Sequence, residues 1–210
     1  MPWICKKTPY LIWLSEIILQ QTRVEQGLPY FLRFKQKYPT VKDLAAAPED
    51  EVMKLWQGLG YYSRARNLHS TAKYIATELN GKFPGNYEGL KALKGVGDYT
   101  AAAIASFAFG EKTSVVDGNV IRVLSRTLGI NTPFDTTGGK KQFAELAMQL
   151  IDEKEPGVYN QSIMDFGATV CTPRAPLCNT CPLQKICVAY NKGIVDELPV
   201  MAKKTAIRPR

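Results

Sequence analysis

An all-α fold is predicted by three features of this 210-residue sequence: apolar residues return at helical spacing, period-2 alternation is scarce, and helix start and stop signals recur at short intervals. Residues 10–26 read as a first helix with a broad apolar face, and about 28–37 as a second, stopped before Pro39. Thr40-Val41-Lys42-Asp43 has the form of a capping box, and Pro48 suits the first turn of the next helix. A long helix from about Tyr62 ends at Asn80-Gly81, a good C-terminal stop. Short helices flank Gly95-Val96-Gly97, Gly110 closes the one that follows, and Asp117 opens a helix running to about Leu128. Further helices fit 140–152 and 157–170, and the stretch 201–210, with Lys203, Lys204, Arg208 and Arg210, reads as an unpacked basic linker. A faint internal repeat relates Gly58-Leu59-Gly60-Tyr61-Tyr62 to Gly95-Val96-Gly97-Asp98-Tyr99, each a tight glycine turn that opens a helix.

Composition narrows the partners. Hydrophobic residues make up 45% and charged residues 22%, which is ordinary for a globular chain with one sizeable core or two small lobes. The net charge of +8 favours a polyanionic partner. No segment is apolar for long enough to span a bilayer, and Met1-Pro2-Trp3-Ile4-Cys5-Lys6-Lys7 lacks the layout of a signal peptide. The expected location is therefore cytoplasmic, associated with the nucleoid, with no membrane partner. The single histidine, His69, argues against His-based triads and His-rich zinc sites, and its polar helical surroundings place it at the surface.

Cys5 stands alone, but Cys171, Cys178, Cys181 and Cys187 form C-x6-C-x2-C-x5-C. Four thiolates so close in sequence can wrap one compact centre, and iron–sulfur clusters take four cysteine ligands. Structural zinc is the alternative. The uneven spacing lacks the paired knuckles of a zinc ribbon and favours iron–sulfur, in a role that staples a lobe together.

Two carboxylates carry the chemistry. Glu16 lies in Leu11-Ile12-Trp13-Leu14-Ser15-Glu16-Ile17-Ile18-Leu19, where a desolvated carboxyl keeps its proton to higher pH and suits a general acid. The plain alternative is a glutamate at the edge of an apolar face, reaching solvent. Asp117, between Val115-Val116 and Gly118-Asn119, reads as a helix N-cap and equally as a second, ionised carboxylate. An acid beside a charged carboxylate suits glycosidic cleavage, whose transition state resembles an oxocarbenium ion. Gly95 and Gly97 let the backbone turn sharply and present N–H groups that favour a phosphate oxygen. Gln20-Gln21-Thr22 and Leu59-Gly60-Tyr61-Tyr62 supply amides and aromatics that can fill the gap left by an extruded base. Tyr61 and Tyr62 read equally as core aromatics, at least one of them buried. Arg64, Arg66 and Arg122 read as solvated charges or phosphate contacts.

Trp13-Leu14-Ser15-Glu16 with Leu19-Gln20-Gln21-Thr22, Gly58-Leu59-Gly60-Tyr61-Tyr62, Gly95-Val96-Gly97, Val116-Asp117-Gly118-Asn119 and the four cysteines, taken in order, resemble the MutY-type adenine DNA glycosylases of the helix-hairpin-helix superfamily. The resemblance covers almost the whole chain. It implies a six-helix module over 6–113 carrying the hairpin, a helical lobe over 114–195 with 1–5 holding a [4Fe–4S] cluster, and a basic linker tail over 196–210, with DNA gripped between the two lobes. It implies a monomer acting on double-stranded DNA with adenine mispaired with 8-oxoguanine or guanine. Glu16 would protonate adenine at N7, and Asp117 would stabilise the cationic sugar. Tyr99 and Asn119 match supporting positions, Gln161 a contact to adenine, Trp3 a pocket wall, and Gln21 and Tyr61 residues that enter the DNA stack. At position 99 the related endonuclease III branch carries a lysine nucleophile. Tyr99 cannot form an imine, so base removal without strand cleavage is expected.

The sequence departs from the family pattern in three places. It begins just before Trp3, it ends after the basic stretch where the family has a domain that reads 8-oxoguanine, and Ile4 stands where a polar residue is usual. A short form or excised core is the expectation, in which adenine removal persists and opposite-base discrimination weakens. The residues also fit two other readings: a mismatch-specific thymine DNA glycosylase, and a non-catalytic iron–sulfur DNA-binding protein.

Overall fold

The computed structural model describes residues 8–202. Trp3, Ile4, Cys5 and the tail from Lys203 onward lie outside them. No strand occurs among the described residues, and the all-α expectation is met. No helix among them is long and apolar enough to cross a membrane. Two compact units divide after Thr113.

The first unit is built around α1 (Pro9–Leu19). Thr8 caps it by accepting from the Leu11 amide at 3.3 Å, and Pro9 suits its first turn. Tyr10 to Ser15, Ile17 and Ile18 are all buried, so α1 is a central helix covered on nearly every side. Around it run α2 (Val24–Lys37), α3 (Val41–Ala46), α4 (Glu49–Trp56), α5 (Ser63–Thr77), α6 (Tyr87–Lys91) and α7 (Asp98–Phe109). Ala101, Ala102, Ala103, Ala105 and Ser106 are buried on α7, and these small residues let it lie close against α1. Trp13, Phe31, Phe34 and Trp56 anchor the core, each fully burying an aromatic side chain worth about 3 kcal/mol. The capping box appears as expected: the Thr40 hydroxyl accepts from the Asp43 amide, and the Asp43 carboxylate accepts from the Thr40 amide.

Two expectations fail here. The first helix stops at Leu19 instead of continuing to 26, because Gln20 leaves the helix and Gln21 takes φ of +54°. No glycine or proline marks this break. Its cause is tertiary: the carbonyls of Ile17, Ile18 and Gln20 at the end of α1 accept from the Arg64 guanidinium on α5. His69 is buried at 2% exposure, not on the surface. Its Nε2 lies 3.0 Å from the Ala47 carbonyl at the end of α3, a group that α3 itself leaves unpaired.

Burial, chiefly, lowers the His69 pKa below its ordinary 6.5. The unfolded chain therefore binds a proton that the folded chain refuses, and the folded state loses stability as pH falls below about 6.5. His69→Gln is expected to flatten the fall in melting temperature between pH 7.5 and 5.5. An unchanged slope would remove His69 from the acid response.

The second unit comprises α8 (Gly118–Leu128), α9 (Thr137–Leu150), α10 (Pro156–Thr169) and α11 (Val188–Lys192), with 3-10 turns at Cys178–Thr180, Gln184–Ile186 and Val195–Glu197. Val120, Leu124, Ile130, Phe143 and Ala147 form its core. α8 packs on α10 and α11. Part of the expected tail is held here instead of hanging free. Leu198 is buried, the Phe134 amide donates to the Val200 carbonyl at 3.1 Å, and the Ala202 amide donates to Asp135 at 2.7 Å.

Candidate functional site

In the first unit, Glu16 sits half-buried on the last turns of α1, between buried Ser15 and Ile17. One turn on, the Gln20 amide donates to the Thr100 hydroxyl of α7 at 3.3 Å, which ties the end of α1 to the helix that carries Tyr99. Tyr99 is 39% exposed in the first turn of α7. The turn before it differs at its two glycines. Gly95 has φ of +80°, and a Cβ there would lie 2.8 Å from Asn67 Cβ, so the fold itself demands glycine. Gly97 is extended, at φ −93° and ψ −179°, and a Cβ there would meet nothing within 4 Å. Nothing in the unit's own packing excludes a side chain at 97. A glycine there leaves room for something outside the unit to approach the start of α7. The Thr71 hydroxyl donates to the Lys94 carbonyl at 2.8 Å and holds the turn against α5.

The turn that precedes α5 carries the other candidates. Gly58 and Gly60 both have positive φ, and Tyr61 follows them at +48°. Tyr61 is 66% exposed and Tyr62 38%, so neither is the core aromatic that one of them was expected to be. Trp56 fills that part of the core instead, with its Nε1 donating to the Gly60 carbonyl at 2.9 Å. Gln21 is also exposed. Arg66 keeps its solvated position, but Arg64 is half-buried and bonded to backbone.

In the second unit Asp117 is the N-cap of α8. Its Oδ1 accepts from the Val120 amide at 2.8 Å, and its Oδ2 accepts from Asn119 Nδ2 at 2.8 Å. Both oxygens are thus acceptors, fixed at the positive end of an 11-residue helix. Asn119 is oriented in turn by Arg122, whose Nη2 donates to Asn119 Oδ1 at 2.8 Å and to the Gly167 carbonyl at 2.6 Å. Arg122 Nε donates to the Cys171 carbonyl at 2.6 Å. Arg122 is therefore neither a solvated charge nor a free phosphate contact; it is 8% exposed and staples α8 to α10. Gly167 makes that approach possible, since a Cβ there would fall 2.6 Å from Asn119 Cβ and 3.0 Å from its carbonyl oxygen. Gln161 lies on α10 with its amide donating to Asp165 at 2.8 Å.

Sequence reasoning missed Asn160, which is 1% exposed. Its Oδ1 accepts from the Val115 amide at 3.1 Å and fixes the segment that leads into Asp117. A polar residue on a mostly apolar helical face was the available signal.

Cys171, Cys178, Cys181 and Cys187 are half-buried, unbridged and line one cavity, with Phe166, Val170, Leu177 and Leu183 as its apolar wall. Burial, then the neighbouring thiols Cys171 and Cys187, push the Cys178 thiol up. Beside them Arg126 is 3% exposed. Its guanidinium donates to the carbonyls of Thr172, Pro173, Val195 and Leu198, and its Nη1 lies 3.6 Å from Cys171 Sγ. No carboxylate among the described residues pairs with it.

The chain resembles proteins of one repair class. Residues 14–152 match the family described as HhH-GPD superfamily base excision DNA repair protein. The adenine DNA glycosylase of Rattus norvegicus is 50% identical over 194 residues, which cover 90% of this chain and 38% of that protein. The adenine DNA glycosylase of Buchnera aphidicola (subsp. Baizongia pistaciae) is 38% identical, covering 100% of this chain and 59% of that one. The chain thus spans between about a third and three-fifths of the length of these curated relatives. Among solved structures, a thermostable thymine-DNA glycosylase superposes with a TM-score of 0.83 at 33% identity, covering 91% of this chain and 88% of that one. An endonuclease III in a non-covalent DNA complex superposes with a TM-score of 0.76 at 26% identity, covering 89% and 86%. The family match spans well over half of the sequence and the folds coincide along nearly all of it: the chain belongs to the HhH-GPD superfamily of base excision DNA repair proteins.

Proposed function

We propose that this chain is an adenine DNA glycosylase that hydrolyses the N-glycosidic bond of adenine mispaired with 8-oxoguanine or guanine in duplex DNA. The observation that carries this reading is the Asp117 carboxylate, held by two N–H donors at the head of α8, in a chain whose half-buried Glu16 supplies the acid. The relatives named adenine DNA glycosylase support adenine as the base. The glycine turns before α5 and α7 support duplex DNA as the partner, as does the net charge of +8.

In this mechanism the target adenine is swung out of the stack. Glu16 gives its proton to N7 of the base, and the C1′–N9 electron pair leaves with the purine. Positive charge then develops on the sugar, where the fixed Asp117 carboxylate stabilises it without reorganising. Glu16, now ionised, takes a proton from the water that attacks C1′. Tyr99 has no amine to trap the sugar aldehyde, so the strand stays intact. Tyr99 and Asn119 support the site, Gln20 and Gln161 contact the substrate, Gly95 and Gly97 receive a phosphate, and Gln21 and Tyr61 enter the stack.

The four cysteines suit a [4Fe–4S] cluster. They are unbridged and half-buried, and they line one cavity against the apolar wall of Phe166, Val170, Leu177 and Leu183, a set of four thiols of the kind that iron–sulfur clusters take as ligands. The buried Arg126 cation, bonded only to carbonyls and facing sulfur, also calls for an anionic centre beside it. When bound, the cluster supplies that charge and cross-links the lobe.

The test is base release from duplexes carrying A·8-oxoguanine, A·G or T·G. Release of adenine from the first two, with no strand break until alkali is added, is expected. Release of thymine alone would replace this reading with a thymine glycosylase, as the fold likeness at 33% identity allows. Binding without release from any duplex would leave only a DNA-binding protein.

A further inference from the structure

Arg64 lies on the first turn of α5 and faces two loops at once. Its Nη1 donates to the carbonyls of Ile17 at 3.3 Å, Ile18 at 3.0 Å and Gln20, and to the Thr22 hydroxyl at 3.3 Å. Its Nη2 donates to the Gly60 carbonyl at 3.4 Å. The guanidinium carbon lies 5.2 Å from the Trp56 ring centroid and 5.6 Å from that of Tyr61. One cation therefore bridges the turn after α1 and the turn before α5.

Each of those turns holds a non-glycine residue at positive φ: Gln21 at 54° and Tyr61 at 48°. Such conformations are rare away from glycine, and they persist where the surroundings over-determine them. Both side chains are exposed, Tyr61 at 66%, so neither is held out by burial of its own. The Thr22 amide donates to the Leu19 carbonyl and the Arg64 amide to the Tyr61 carbonyl, each closing one turn, and the fork of Arg64 is the group that ties the two turns to each other. Its planar arrangement of N–H donors reaches acceptors on two segments simultaneously, which a lysine ammonium cannot reproduce.

We infer that Arg64 is a positioning residue that locks Gln21 and Tyr61 into one rigid insertion unit, which enters the base stack as a pair while the target nucleotide is extruded. The inference rests on the glycosylase reading above. Its physical basis is preorganisation: two loops ordered separately at the moment of insertion each lose conformational freedom, whereas loops already joined do not. The Ile17 and Ile18 carbonyls belong to the last turn of α1, so the same contact sets the direction in which Glu16's helix ends.

The experiment uses a duplex with 2-aminopurine at the target position, whose fluorescence rises on leaving the stack, and a second duplex with a stable abasic analogue there. The native chain is compared with Arg64→Met, Arg64→Lys, Gln21→Ala/Tyr61→Ala, and the triple variant Arg64→Met/Gln21→Ala/Tyr61→Ala, each checked for a native melting profile. Arg64→Met and Arg64→Lys are expected to slow extrusion by about tenfold while weakening abasic-duplex binding by less than about threefold. In the Gln21→Ala/Tyr61→Ala background, Arg64→Met is expected to add less than about twofold, because its effect passes through those two residues. Native extrusion by Arg64→Lys, or an undiminished Arg64→Met effect in that background, would overturn the inference and leave Arg64 an ordinary core staple. A native chain that neither extrudes nor releases a base would overturn the glycosylase reading and this inference with it. The two failures are therefore distinguishable.

Discussion

Arg126→Met is expected to destabilise the second unit by about 4 kcal/mol and to lower the iron and sulfide content of the purified protein. The guanidinium is 3% exposed and gathers the carbonyls of Thr172, Pro173, Val195 and Leu198, contributed by two segments that share no helix. Hydrogen bonds from a charged donor contribute about 1.5–3 kcal/mol each, and a buried acceptor left bare costs about 1–3 kcal/mol. Methionine fills the volume but donates nothing, so these carbonyls lose their partner together. The backbone carbonyl of Arg126 also accepts from Cys187 Sγ at 3.4 Å, which joins the same residue to the cysteine group from the other side. A melting temperature within about 3 °C of native, with iron content unchanged, would contradict this account of the lobe.

Asp117→Asn is expected to lower the single-turnover rate of adenine release by about 10²- to 10³-fold while leaving the melting temperature near native. The capping role of Asp117 largely survives in this variant. Asparagine caps a helix about as well as aspartate, so the bond from the Val120 amide is kept. What disappears is the negative charge needed as the sugar becomes cationic, together with the bond from Asn119 Nδ2, which an amide nitrogen cannot accept. Asp117→Ala removes both and is expected to lose a further ~1 kcal/mol of stability from the cap. If Asp117→Asn released adenine at the native rate, Asp117 would be a cap and nothing more.

Much of the fold was legible because its signals are local. The Thr40–Asp43 capping box, the glycine stop at Gly110 and the Asp117 cap each follow from a few neighbouring residues, and each appears in the structure. The end of α1 was not legible, because it depends on Arg64, 44 residues beyond Gln20, taking the carbonyls that would otherwise continue the helix. His69 was misplaced for the same reason: its partner is the Ala47 carbonyl on another helix. The three arginines 64, 122 and 126 share this pattern. Each looks like a surface charge in a local window, and each is drawn inward by backbone carbonyls left free at helix ends and loops. Candidate site residues were legible where chemistry needs a particular type, as with the carboxylates and the four cysteines. Asn160, whose Oδ1 accepts from the Val115 amide, showed in the sequence only as a polar residue on a mostly apolar helical face.

The most direct measurement is the single-turnover rate of adenine release from an A·8-oxoguanine duplex by the native chain and by Glu16→Gln, with duplex affinity recorded alongside. The account predicts that Glu16→Gln binds within about threefold of native yet releases adenine at least about 10³-fold more slowly, because an amide has no proton of suitable acidity to give. Release by Glu16→Gln at a rate near native would contradict it, and the proton would have to come from elsewhere.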